Sequence, residues 1–182
     1  MSEVAARYAV VAGGFTTRVT GVPQGGWEAA TPCTEWTVRD LVAHVVSTHR
    51  SVLATLDGVE AQAAEPAKDL VGDWKRATAE VAAALADETR ASKVSGGMFG
   101  EQSFESLVGR LVVSDTLVHT WDLARATGQD EVLDPDAVSK AMGFLAAIDE
   151  ALRRPGGFAP KVTPPPGADE QTSFLSFCGR RV

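Results

Sequence analysis

The chain has 182 residues, enough for one domain whose core needs no staples. A net charge of −7 and a pI near 4.9 leave no basic stripe to neutralise phosphates, which excludes nucleic acid as the expected partner. No apolar run approaches the roughly 20 residues of a membrane span, and the opening MSEVAARYAV, with its early acid, has no signal-peptide layout.

In chain order, Val4, Tyr8, Val11, Phe15 and Val19 recur at helical spacing and predict a first helix over Val4 to Val19, despite Gly13 and Gly14. The breaker GVPQGGW follows. Thr37 is a good N-cap with Asp40 three residues on, in a capping-box relation, and Trp36 just before it can staple against Leu41. A second helix is therefore expected from Val38 to about Leu56. Gly58 to Pro66 reads as a loop. Ala67 to about Thr89 reads as a third helix with Leu70, Trp74, Ala77, Val81 and Leu85 on its apolar face. KVSGGMFGEQS is Gly-rich and expected to be extended. Ser103 caps a fourth, central helix that ends at Gly128. Asp134-Pro135 starts a fifth that runs to about Leu152. Gly156, Gly157 and Thr163 to Gly167 make a stiff surface crossing before a last short helix, Glu170 to Cys178. With 45% hydrophobic but only 7% aromatic residues, the expected architecture is all-α: a four-helix bundle with additional C-terminal helices, one domain over residues 1–182.

The central helix carries the anomaly on which function turns. At about 100° per residue, Phe104, Leu107, Leu111, Val118 and Ala126 share one stripe. Asp115 and Asp122 fall within it and His119 at its edge. An unpartnered buried carboxylate costs several kcal/mol, so such groups are normally paired, protonated or bound to a metal. Asp115 and His119, at i and i+4, can reach one ion. A third ligand would come from His44 or His49 on the second helix. They lie about 70° to either side of its apolar stripe, so periodicity does not choose between them. Plainer readings stand beside this one. Asp115 could pair with His119, Arg110 or Arg39, and Asp122 with Arg125. His49, next to Arg50, reads as a solvated face residue. Trp36, Trp74 and Trp121 read as core. Cys33, with no assigned histidine partner, reads as inert. Cys33 and Cys178 are too few and too far apart for a disulfide framework, and a reduced, cytoplasmic setting is expected.

TPCTEWTVRDLVAHVV and SDTLVHTWDLARATGQD together resemble paired motifs of actinobacterial proteins in the DinB-like superfamily. Within it, the match is to the metal-binding domain of mycothiol-dependent maleylpyruvate isomerase and its single-domain relatives. The resemblance runs through most of the chain, including the Pro-rich crossing and the FCGRRV ending. It implies a DinB-like four-helix bundle holding zinc or nickel between helices two and four. It selects His44 over His49 and places the other ligands at Asp115 and His119. Beside them, Asp122 and Trp121 are the candidates for supporting the ligands or walling the site. In the isomerase the position of Asp115 is a glutamate, so the arm here is shorter, and no counterpart of the isomerase's separate C-terminal domain is expected. The expected chemistry is a metal-activated thiolate, from mycothiol or another low-molecular-weight thiol, acting on a small electrophile as a transferase or isomerase. The alternative is a non-catalytic metal-binding or interaction module. The expected partner is a small molecule, with no nucleic acid and no membrane, and with a homodimer as one allowed assembly.

Overall fold

The computed structural model describes residues 1–61, 69–96, 100–153 and 158–182, the side chain of residue 151 aside. Helix α1 (Glu3–Thr20) is capped by the Ser2 hydroxyl, which accepts from the Ala5 amide. Helix α2 (Val38–Asp57) starts at the expected capping box, with the Thr37 side chain on the Asp40 amide and the Asp40 carboxylate on the Thr37 amide. It ends at Gly58, in the left-handed region at φ 70°. Helix α3 (Leu70–Ala86) is shorter than expected, because Asp87 turns the chain and caps a separate turn, α4 (Glu88–Ser92). Residues 67 and 68, assigned to the third helix from sequence, lie outside the described residues, as do residues 62 to 66 of the expected loop.

The Gly-rich segment contributes two short antiparallel strands, β1 (Val94–Ser95) and β2 (Gln102–Ser103), with Val94 opposite Ser103. Ser103 then caps the central helix as expected. That helix is not uniform. A regular turn, α5 (Phe104–Leu107), passes into a π-helical turn over Val108–Val112 before α6 (Val113–Thr127), which ends at Gly128 with φ 66°. A π turn inserts an extra residue and rotates everything downstream by about 100° relative to a regular helix. The single stripe expected from sequence is therefore only partly realised: Phe104 and Val118 are buried, whereas Leu107, Leu111 and Ala126 are half-buried. Gly109 permits the close approach of this turn to α1, since a Cβ there would lie 3.0 Å from Val4.

Helices α1 and α2 each pack between α3 and α6, which closes the four-helix bundle. Helix α7 (Pro135–Ala147), capped by Asp134, lies on the outer side of α6. The fifth helix expected to reach Leu152 breaks at Ile148, and Asp149–Leu152 forms its own turn, α8. The exposed run from Thr163 to Gly167 leads to α9 (Glu170–Phe177), which is capped by Asp169 and packs on α7. Gly156 and Gly157 lie outside the described residues. With neighbours α1, α2 and α7, helix α6 is buried on nearly every side from Val113 to Ala124. Asp115 is the half-buried exception. Among the described residues no helix is long and apolar enough to cross a membrane.

Candidate metal centre

The chain between α1 and α2 folds into a tight turn. The Trp36 amide donates to the Cys33 carbonyl at 3.0 Å and the Thr31 amide to the Trp36 carbonyl at 3.1 Å. Glu35 pays for this turn with φ 71°, the left-handed region that a side chain disfavours. The result sets Cys33 and Trp36 over one end of the α2–α6 seam. The Trp36 ring lies 4.7 Å from the His44 ring and 5.8 Å from that of His119.

Beneath it, His44 from α2 meets Asp115 and His119 from α6. His44 Nε2 is 3.0 Å and His119 Nε2 3.5 Å from the same Asp115 oxygen, Oδ1. The other oxygen, Asp115 Oδ2, is buried and has no hydrogen-bond partner among the described residues. His44 is 36% exposed at its side chain, whereas His119 is 7% exposed. The donor atoms of the three residues all lie within 4.8 Å of one another.

A second layer lies behind His119. Its Nδ1 donates to Asp122 Oδ2 at 3.0 Å, and Asp122 is fully buried. The Arg180 guanidinium grips the same carboxylate with Nε on Oδ1 at 3.1 Å and Nη2 on Oδ2 at 2.7 Å. The Cys33 thiol donates to Asp122 Oδ2 at 3.2 Å, accepts from Arg180 Nη2 at 3.1 Å and sits 3.8 Å from His119 Nδ1. Cys33, His119 and Asp122 also cluster closely enough to hold an ion, but the Arg180 cation already occupies that carboxylate and thiol. A metal there would face like-charge repulsion at short range. Among the described residues no arginine or lysine pairs with Asp115.

Burial works to raise the Asp122 carboxyl, but hydrogen bonds from His119 and Arg180 outweigh it and bring it down to about 2. Burial likewise opposes ionisation of Asp115, yet the His119 charge and the hydrogen bonds of both histidines hold it well below the usual carboxylate range. His119 is pushed down by burial and up, more strongly, by Asp115 and Asp122, so its imidazolium is favoured. Of the two carboxylates, Asp122 is thus compensated by Arg180 as well as His119, whereas Asp115 is matched by the imidazoles beside it alone, His119 above all.

Several readings from sequence are corrected by this geometry. Asp122 does not pair with Arg125, which instead bonds Glu131 at 2.8 Å and lies over the Trp121 ring. Arg39 and Arg110 are likewise not on Asp115: Arg39 pairs with Glu28 and Arg110 lies over Phe144. His49 is not a solvated residue but fully buried, because α2 is wedged between α3 and α6 and buries a sector wider than one stripe. Cys33 does have a histidine neighbour. Trp36, read as core, is half-buried and lies against the two histidine rings, whereas Trp121 is core as read, 1% exposed. Arg180 escaped sequence reasoning altogether. The available signal was the need of a buried Asp122 for a cation, but 58 positions separate the partners. The long groove lined by Tyr8, Ala12, Thr78 and Leu85 lies on the α1–α3 face and shares no residue with this cluster.

The chain is similar to two Mycobacterium tuberculosis proteins, from strains CDC 1551 and H37Rv, both bearing the description uncharacterized protein. Each is 37% identical over 166 residues, covering 84% of this chain and 84% of the relative. No solved structure matches it. A family model described as mycothiol maleylpyruvate isomerase N-terminal domain matches residues 10–124, a span that holds every side chain of the cluster except Arg180, and the chain belongs to that family.

Proposed function

We propose that the protein binds a divalent metal, zinc or nickel, through His44, Asp115 and His119, and uses it with a low-molecular-weight thiol in a transferase or isomerase reaction on a small electrophile. The carrying observation is Asp115 Oδ2: a buried carboxylate oxygen without a partner, flanked by two imidazoles from different helices. Two imidazole nitrogens and one carboxylate oxygen suit zinc or nickel and leave at least one coordination position for another ligand. A bound divalent ion would supply Lewis acidity that lowers the pKa of a thiol placed at that position. Mycothiol is the thiol suggested by the family description.

The remaining roles belong to the chain itself. Asp122 fixes the proton on His119 Nδ1, which leaves Nε2 to face Asp115. Trp36 covers both histidine rings with an apolar face and limits water there. His44, the most exposed of the three, marks the side from which a small molecule approaches. We take residues 1–182 as one domain and assign it to the cytoplasm, with Cys33 and Cys178 as free thiols.

The deep burial of His119 and the small exposure of Asp115 favour a second reading, a metal-binding or interaction module without turnover, for which a homodimer is the natural assembly. Thiol consumption separates the two. Metal-loaded protein is mixed with mycothiol, glutathione or cysteine and an epoxide, quinone or haloaromatic electrophile. A rate above background that disappears in His119→Ala supports the enzyme. Background rates with every thiol leave the binding module.

A further inference from the structure

Arg180 reaches the cluster from the far end of the chain, and the approach is built rather than incidental. After α9, Gly179 takes φ 84°, and a Cβ on it would lie 2.8 Å from the Ala159 Cβ and 3.0 Å from the Pro160 carbonyl oxygen. Only glycine fits that turn without displacement. The turn is closed by the Gly179 amide on the Ser176 carbonyl and the Arg180 amide on the Leu175 carbonyl. It sends the Arg180 side chain inward, where only 8% of the residue remains exposed. All three guanidinium nitrogens are used: Nε and Nη2 on the two oxygens of Asp122, and Nη1 on the Cys178 carbonyl at 2.8 Å. A forked contact on both carboxylate oxygens fixes the plane of Asp122 as a single hydrogen bond does not. With that plane fixed, Oδ2 faces His119 Nδ1 and the opposite ring nitrogen, Nε2, is turned toward Asp115.

We propose that Arg180 is a positioning residue for the metal centre, holding Asp122 so that His119 presents Nε2 beside Asp115 and His44. The C-terminal tail thereby sets the affinity of a site formed by α2 and α6. This inference rests on the metal-binding reading above, and it adds a residue that lies outside the family-matched span. Truncation of the guanidinium also leaves Asp122 buried without its cation, so a purely structural role would lower stability alone and leave the affinity of the folded protein unchanged.

The test is zinc titration of the full chain as wild type, Arg180→Met and Arg180→Lys, together with the exchange rate of the His119 Nδ1 proton, read by NMR in metal-free protein. Loss of an outer hydrogen-bond partner typically weakens a metal site roughly 10–100-fold. Arg180→Met is expected to bind zinc weaker by that factor and to exchange the Nδ1 proton at least tenfold faster. Arg180→Lys keeps the charge but not the fork, and is expected to fall between the two. If the methionine variant fails to fold, the lysine variant carries the test. Zinc affinity and proton exchange unchanged in the folded variants overturn the role of Arg180 while leaving the metal site standing. A wild type that binds no zinc overturns the metal reading, and the proton exchange then still decides whether Arg180 holds His119.

Discussion

His44 and His49 lie five positions apart on the same helix and meet opposite surroundings. His49 is fully buried between Tyr8 of α1 and Trp74 of α3, with ring centroids 5.8 and 4.9 Å away, and its Nδ1 donates to the Val45 carbonyl one turn back. Its other nitrogen has no partner among the described residues. Burial pushes this imidazole down to about 4, against the Val45 carbonyl and the more distant charge of Asp115. His44 is far more open, yet it is held by a carboxylate 3.0 Å away and faces a second imidazole. The contrast lies in partners rather than in burial, since His119 is also buried: His44 and His119 share a carboxylate with an unused oxygen, and His49 has only a backbone carbonyl.

The largest effect is expected on the His49 side. Trp74→Ala removes the ring packed 4.6 Å from Phe15 and beside His49, and the hydrogen bond from its indole to Thr16. It should lower stability by about 3–5 kcal/mol in urea denaturation. Metal content of the folded fraction should be unchanged, and a variant that loses metal in proportion would show that the two regions are not separate.

Acid should act on the same side. Below its ordinary value of 6.5, His49 takes up a proton in the unfolded chain that the folded protein refuses down to about 4. Its contribution to stability is therefore complete above that window and is lost as pH falls through it, by on the order of 3 kcal/mol. Urea denaturation at pH 7 and pH 4.5 should show a smaller drop in His49→Leu than in wild type. Equal drops would place the acid sensitivity elsewhere. Thr37→Ala is the mildest perturbation. It removes the cap of the helix that carries both histidines and should cost about 1 kcal/mol, without favouring one region over the other.

Helix ends were legible mostly where a side chain marks them: the Thr37–Asp40 box, Ser103, Gly128 and the Asp134-Pro135 start all stand where local chemistry puts them. The break at Asp87 was missed although its side chain marks it, because the apolar spacing runs on past it; the break at Ile148 and the π turn over Val108–Val112 carry no side-chain cap to read. At the site, the i, i+4 pair Asp115 and His119 stands out because polar groups interrupt an apolar face. The choice of His44 came from family resemblance, since phase on α2 is symmetric between the two histidines. Cys33, Trp36 and Arg180 depend on contacts between segments as much as 147 positions apart, and no local pattern encodes them.

The central claim is that the interior carboxylate Asp115 is compensated by a metal held with His44 and His119. Elemental analysis of protein purified without chelator or affinity tag tests it most directly, on wild type, His119→Ala and His49→Gln. The account predicts about one zinc or nickel ion per chain in wild type and His49→Gln, and an affinity lowered well over tenfold in His119→Ala. The same metal content in all three proteins, whether zero or one, would contradict it.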